Sequence, residues 1–449
     1  MAFLPKEVEY NRPHASVSPE TNSINVIVRP ANGQTFSAGG DVIQFDLPAR
    51  SFLSPSSLVL RGVITTRSHT ADDKNFLLGA CPGSSWIQRV ETQVAGQTIE
   101  SINQYNQLYN MLVNTKMGFS ERFALQTEFA TGGSGGADGL ATVAPTSTAG
   151  ICSYVAGTSA TADSKVGFAI PLGCMLANCT NFVPLGMMGA VRVSITTDQL
   201  ANFTFQEAGG SGNALTTFSV GSLELAFDMV DFGRSFDGVV GSMADADGNI
   251  NLKTSSWNNS SLSLGSLTAG SSSENIYNVR LSSIKSLILQ GGSPGATYVN
   301  GAKFDAIATA GATGSTQFVV ASQVYPQTPL AESNQALMMS ELRQALGEAH
   351  DLYGTKLSIV DNQYNVNKLA APSGKTTTPE LPTTHFVGIN TEKISTNQLL
   401  MSGISSQLSP ISVRIQNSAT VGASVLTLMV LYDAIISINL PTRQVQTRV

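Results

Sequence analysis

The chain of 449 residues passes twice from a strand-like stretch into a helix. The first passage, "QTIESINQYNQLYNMLVNTKMG", begins at Gln97, and the second, "QTPLAESNQALMMSELRQALG", begins at Gln327. Each opens on Gln-Thr, crosses a glutamate and reaches an Asn-Gln pair, Asn103-Gln104 and Asn334-Gln335. Tyr105, Leu108, Tyr109 and Leu112 then recur at helical spacing, as do Met338, Leu342 and Ala345 within a helix expected over 332–346. Gly118 and Gly347 stand where a glycine cap ends a helix. A β-rich chain with the same strand-to-helix step at two distant points has one natural explanation, a duplicated domain. Length agrees, because a single core stops growing near about 250–300 residues.

The strands around these helices repeat in the same order. In the first half, "DVIQFDLP" alternates Ile43, Phe45 and Leu47 against Gln44 and Asp46, and "GAVRVSITT" alternates Val191, Val193 and Ile195. Such period-2 patterning marks half-buried strands. "SVGSLELAFDMVDF" closes that half. In the second half, "SPISVRIQNS" matches "GAVRVSITTD", and "GASVLTLMVLYDAIISI" matches the closing strand. The boundaries expected are an N-terminal arm over 1–22, a first β-domain over 23–235, a linker over 236–254, a second β-domain over 255–440 and a tail over 441–449. Glycine-, alanine- and serine-rich stretches at 130–165, 291–316 and 367–384 are expected as loops at exposed ends or between subunits.

Charged residues make up 12% of the chain, about half the usual share of roughly 25%. Gly, Ser, Thr, Asn and Ala take their place, which suits wide protein–protein contact. The net charge of −6 argues against a dedicated nucleic-acid binder, which needs a basic face. Arg443 and Arg448 in "PTRQVQTRV" read as a solvated tail. There is no basic-then-apolar leader and no apolar run of about 18 residues. Cys81, Cys152, Cys174 and Cys179 lack the paired spacing of a zinc site and read as small buried hydrophobes, made in a reducing cytoplasm.

Local motif matches dissolve in context. "GGSGG" around Ser134 fits a hydrolase elbow in letters only, since it lies in a low-complexity loop. "SGKTT" at Ser373 lacks the first glycine of a phosphate loop, Leu369 standing there. "DADGNIN" offers alternating oxygens from Asp245, Asp247 and Asn249, a weak calcium candidate whose glycine and twelfth residue, Ser256, do not fit an EF-hand. An ordinary turn is the favoured reading. Asn178 and Asn202 head formal glycosylation sequons. No catalytic, cofactor or metal constellation gathers in any window.

The combined pattern of "FDLPARSFLSPSSLVLRGVIT", "SSWIQRVETQVAGQTIESINQYNQLYNML" and "FAIPLGCMLANCTNFVPLGMMGAVRVSITTD" resembles the double jelly-roll major capsid proteins of icosahedral viruses. That family spans the adenovirus hexon, membrane-containing tailless phages and virophages. The resemblance runs from about Ser23 to Ile438 and implies an all-β fold with two short inserted helices, two antiparallel β-sandwich domains in tandem. In the family a helix lies between the fifth and sixth strands of each roll. The function implied is structural and non-enzymatic: homotrimeric, pseudo-hexagonal capsomers that tile a virion shell after synthesis in the host cytoplasm. The partners implied are the chain itself, minor capsid and vertex proteins, and an internal lipid membrane where the virus has one. The alternative is a β-sandwich protein that binds a receptor or a glycan. Lectin-type sites usually present aromatic platforms, and this chain has only two tryptophans, Trp86 and Trp257.

Overall fold

The computed structural model describes residues 22–449 except 68–74, 78–80, 118–123, 126, 131–162, 207–216, 233–243, 246, 293–313, 332, 348–385, 393–400 and 417–423. All of the expected arm but Asn22, together with Gly118 and most of the three expected loops, lies outside the described residues.

Sixteen strands carry the architecture, eight in each half. The first half contains β1 (Asn22–Val28), β2 (Val42–Leu47), β3 (Val59–Arg67), β4 (Ile87–Val94), β5 (Gln97–Asn103), helix α1 (Tyr105–Lys116), β6 (Ser164–Pro171), β7 (Val191–Thr197) and β8 (Thr217–Asp231). The second contains β9 (Asn249–Leu264), β10 (Ser272–Tyr277), β11 (Ile284–Gly292), β12 (Ser315–Val320), β13 (Gln323–Ala331), helix α2 (Gln335–Ala345), β14 (Phe386–Asn390), β15 (Ile411–Gln416) and β16 (Ser424–Asn439).

Pairing in the first half runs β1-β8-β3-β6 in one sheet and β2-β7-β4-β5 in the other. In the second half it runs β9-β16-β11-β14 and β10-β15-β12-β13. Adding eight to each label of the first half yields the second, so the two halves share one topology. All the pairings are antiparallel. Strands one, eight, three and six against two, seven, four and five is the jelly-roll order, two packed sheets wound from Greek keys. Both helices fall between the fifth and sixth strands.

Alternation along the strands explains which side faces inward. β7 sits between β2 and β4, with Val191, Val193 and Ile195 opposite Leu47, Phe45 and Ile43 on one side and Val191 and Ile195 opposite Val94 and Val90 on the other. All of these are buried. β15 repeats this, with Ile411 opposite Tyr277 and Val413 opposite Phe318. Close packing leaves no room at Gly62, where a Cβ would come within 2.7 Å of Leu223 and 2.9 Å of Phe168.

Three details differ from the sequence reading. β9 begins at Asn249, inside the stretch expected as linker, because Asn249–Leu264 pairs without interruption with Ser424–Asn439. Residues 441–449, expected as a tail, contain the strand Gln444–Arg448, which pairs with β16 and buries Val445. An edge strand there satisfies backbone groups that β16 would otherwise leave open. The Asn-Gln pairs are also out of step by one. Gln104, at φ 50°, precedes α1, whereas Asn334 precedes α2 and accepts a hydrogen bond from Leu337 N at 3.2 Å. The helices still correspond, since Leu108 and Met338 are each the fourth helical residue and both are buried. Gly347 ends α2 at φ +80°, the conformation a glycine cap requires.

Candidate assembly surface

The two rolls meet along a polar seam. Its first-roll side is made by β5, the start of α1 and the loop 172–182, and its second-roll side by β9 and β16. Thr180 N donates to Lys253 O at 3.1 Å and Asn178 Nδ2 to Ser255 O at 3.1 Å. In the other direction Thr254 Oγ1 donates to Met175 O at 2.6 Å and Asn259 Nδ2 to Asn103 O at 2.7 Å. Ser261 Oγ reaches Gln104 Oε1 at 2.7 Å, and Thr427 Oγ1 reaches Gln107 Oε1 at 3.3 Å. β9 is rich in Ser, Thr and Asn because its buried groups are satisfied across this seam rather than by apolar packing.

Glu100 is the centre of the seam. The residue is 3% exposed, and its carboxyl accepts from Met175 N at 2.9 and 2.8 Å, from Thr92 Oγ1 at 3.0 Å and from Ser256 Oγ of the second roll. Burial raises its pKa above the usual 4.5, while the bonds from Ser256, Met175 and Thr92 pull it back. The phenol of Tyr105 accepts from Gly173 N at 2.8 Å and helps hold the same loop. α1 is buried on nearly every side, from Tyr105 through Met111, Val113 and Thr115, chiefly by packing on β4 and residues 82–85 of its own roll.

The counterpart surfaces stay open. α2 buries one stripe, Met338, Leu342 and Ala345, and leaves Ala336 and Gln344 exposed. β13, the counterpart of β5, exposes Gln323, Gln327, Thr328 and Pro329. β1, the counterpart of β9, is mostly exposed and carries Ile24 at 46% and Ile27 at 50% exposure. Two strands of the seam, β5 and β9, therefore have uncovered equivalents in β13 and β1.

Residues singled out by sequence have modest roles. Asp245 Oδ1 accepts from Asp247 N at 3.1 Å and Asn249 N at 2.8 Å, so the carboxylate closes its own turn, with Gly248 at φ +74°. Those bonds, Asn249 first, hold its pKa below the usual 3.8. Asn249 Oδ1 accepts from Asn439 at 3.0 Å. Among the described residues no group of three or more His, Cys, Asp or Glu is placed to hold a metal. Cys81, Cys174 and Cys179 are free and buried, and burial pushes the Cys81 and Cys179 thiols up to about 12. Cys152 lies outside the described residues. Trp86 is fully buried, its Nε1 donating to Gly83 O at 2.7 Å, and Trp257 is 8% exposed, so neither offers a platform to a sugar. No described helix is long and apolar enough to cross a membrane.

No protein-family model and no curated protein matches the chain. Solved structures do match, over nearly its full length. The Faustovirus major capsid protein aligns at a TM-score of 0.57 and 9% identity, covering 94% of this chain and 92% of that one. The PBCV-1 virus capsid aligns at 0.55 and 11%, covering 93% and 95%. The mavirus major capsid protein aligns at 0.52 and 10%, covering 100% and 96%. At such identities the likeness is one of fold, and together with the doubled strand order it establishes this chain as a double jelly roll of the kind found in these capsid proteins.

Proposed function

We propose that the chain is a major capsid protein whose homotrimers tile an icosahedral shell. The observation that carries this reading is the pairing of covered and uncovered surfaces. The second roll covers β5 of the first and bonds to Gln104 and Gln107 at the start of α1. The equivalent α2 and β13 are open, as is β1, the equivalent of the strand that does the covering. A second copy that set its β1 against α2 and β13 would repeat the seam between chains. A head-to-tail contact of this kind closes into a ring when the rotation permits. With two similar lobes per chain, closure at three chains presents six lobes, the outline of a hexagonal tile.

The low charge content favours that burial, because few ions lose their water. An obligate contact of this type buries upwards of about 2,000 Å². Minor capsid proteins, a distinct vertex protein and a lipid membrane inside the shell are the further partners this role would have, with the arm over 1–22 reaching a neighbour or the shell lining. Catalysis has no part in the role. Negative-stain imaging of the purified chain tests it: discrete particles with hexagonal outline support a capsomer, whereas isolated two-lobed monomers at all concentrations contradict it.

A further inference from the structure

Within the second roll, three polar side chains line up across neighbouring strands where the fold has no need of charge. Asp433 lies in β16, Lys285 in β11 beside it, and Glu392 two residues past β14 on the far side of β11. Ile284 pairs with Tyr432 and Ser286 with Leu431, so Lys285 is the extra residue of a bulge. Bulges re-aim a side chain, and here the ammonium meets both carboxylates. Lys285 Nζ is 3.3 Å from Glu392 Oε1 and 3.7 Å from Asp433 Oδ1.

The two oxygens of Asp433, whose side chain is 1% exposed, are treated unequally. Oδ2 is held by Ser402 N at 3.1 Å, Ser402 Oγ at 3.1 Å and Ser283 Oγ at 3.2 Å. Oδ1, on the lysine side, is buried and accepts no hydrogen bond among the described residues. Ser402 Oγ is also 2.6 Å from Glu392 Oε1, so its single hydroxyl hydrogen serves one carboxylate or the other beside the amine.

We infer that Lys285 and Asp433 are built to join as an intramolecular isopeptide bond, with Glu392 as the proton relay. Glu392 takes a proton from the Lys285 ammonium and passes it to Asp433 Oδ1. The freed amine attacks Asp433 Cγ, and the charge that develops on Oδ2 falls in the cradle of Ser402 N and Ser283 Oγ, as in an oxyanion hole. Glu392 carries a second proton from the nitrogen to Oδ1, which leaves as water. The nitrogen keeps one hydrogen, ammonium plus carboxylate becomes amide plus water, and no oxidant or cofactor is consumed. Buried proximity replaces activation: Nζ stands 3.7 Å from Oδ1, just outside the about 3–3.5 Å at which positioned groups react at very high effective concentration. The bond would tie β11 to β16 and restrict the unfolded chain much as a disulfide does, in a protein whose described cysteines are all free.

Mass spectrometry of the purified full chain tests this directly. The expected result is a mass one water below that of the sequence, with the Lys285 and Asp433 tryptic peptides recovered as a single branched species. K285R and D433A should restore the full mass. E392Q should stay unjoined while circular dichroism shows the native fold. A wild-type chain with unaltered mass overturns the proposal. So does a lost water that maps to an unbranched peptide, as a succinimide at Asp433 would. Cross-linking that persists in folded E392Q removes the relay.

Discussion

At Glu100 the seam depends on one buried carboxyl. Its neutral form suits the buried site, because burial raises its pKa above 4.5. A raised carboxyl contributes its full stability below the unfolded value and loses it as pH climbs through the folded value. Glu100→Gln should therefore flatten a decline in stability that the wild type shows from about pH 4.5 upward. Urea unfolding across that range checks it, and identical slopes for the two proteins would contradict it. Glu100→Ala should cost about 1–3 kcal/mol for each buried donor left unpaired, Met175 N and Thr92 Oγ1 among them. This residue was not legible in sequence. In "QTIESIN" a glutamate between isoleucines reads as the solvent side of a strand, yet it shares its buried side with Ile102. What covers it is the second roll, and no local pattern announces a partner more than 150 residues away.

The elements divide by how their burial is achieved. Strands such as β7 and β15 bury apolar side chains and were legible by alternation, as were both helices by their stripes. The start of β9, 249–254, reads as linker because the strand is buried largely through Ser, Thr and Asn, which carry no hydrophobic period. The strand at Gln444–Arg448 was missed for a related reason: it buries only Val445. On α2, Leu342→Ala should destabilise the second roll by about 2–5 kcal/mol, the usual cost of an emptied aliphatic site. Gly388→Leu should do at least as much, since a Cβ there already comes within 2.8 Å of Leu342 and 3.3 Å of Ala345. Calorimetry reads both, and wild-type melting for either would mean that α2 does not dock as described. By contrast, Ile27→Asp in exposed β1 should leave the melting of the isolated chain within about 0.5 kcal/mol, as surface changes usually do. It should nevertheless abolish association, seen as a loss of the larger species on size exclusion.

At the scale of the molecule, duplication is what makes assembly readable. The doubled helix passage pointed to two like domains, and the shared strand order confirms them. The resemblance to capsid proteins rested on texture, and the full-length structural matches bear out its fold. How chains join was not legible, because the contact lies between copies, and Ile24 and Ile27 are among several apolar side chains that the single chain leaves exposed. The seam inside the chain supplies the template. The most direct test is native mass spectrometry of the purified chain, with Ile27→Asp beside it. A species of three times the 47.1 kDa chain, persisting on dilution and absent from the variant, is the predicted result. A wild-type protein that stays a monomer at every concentration would contradict the proposed capsomer.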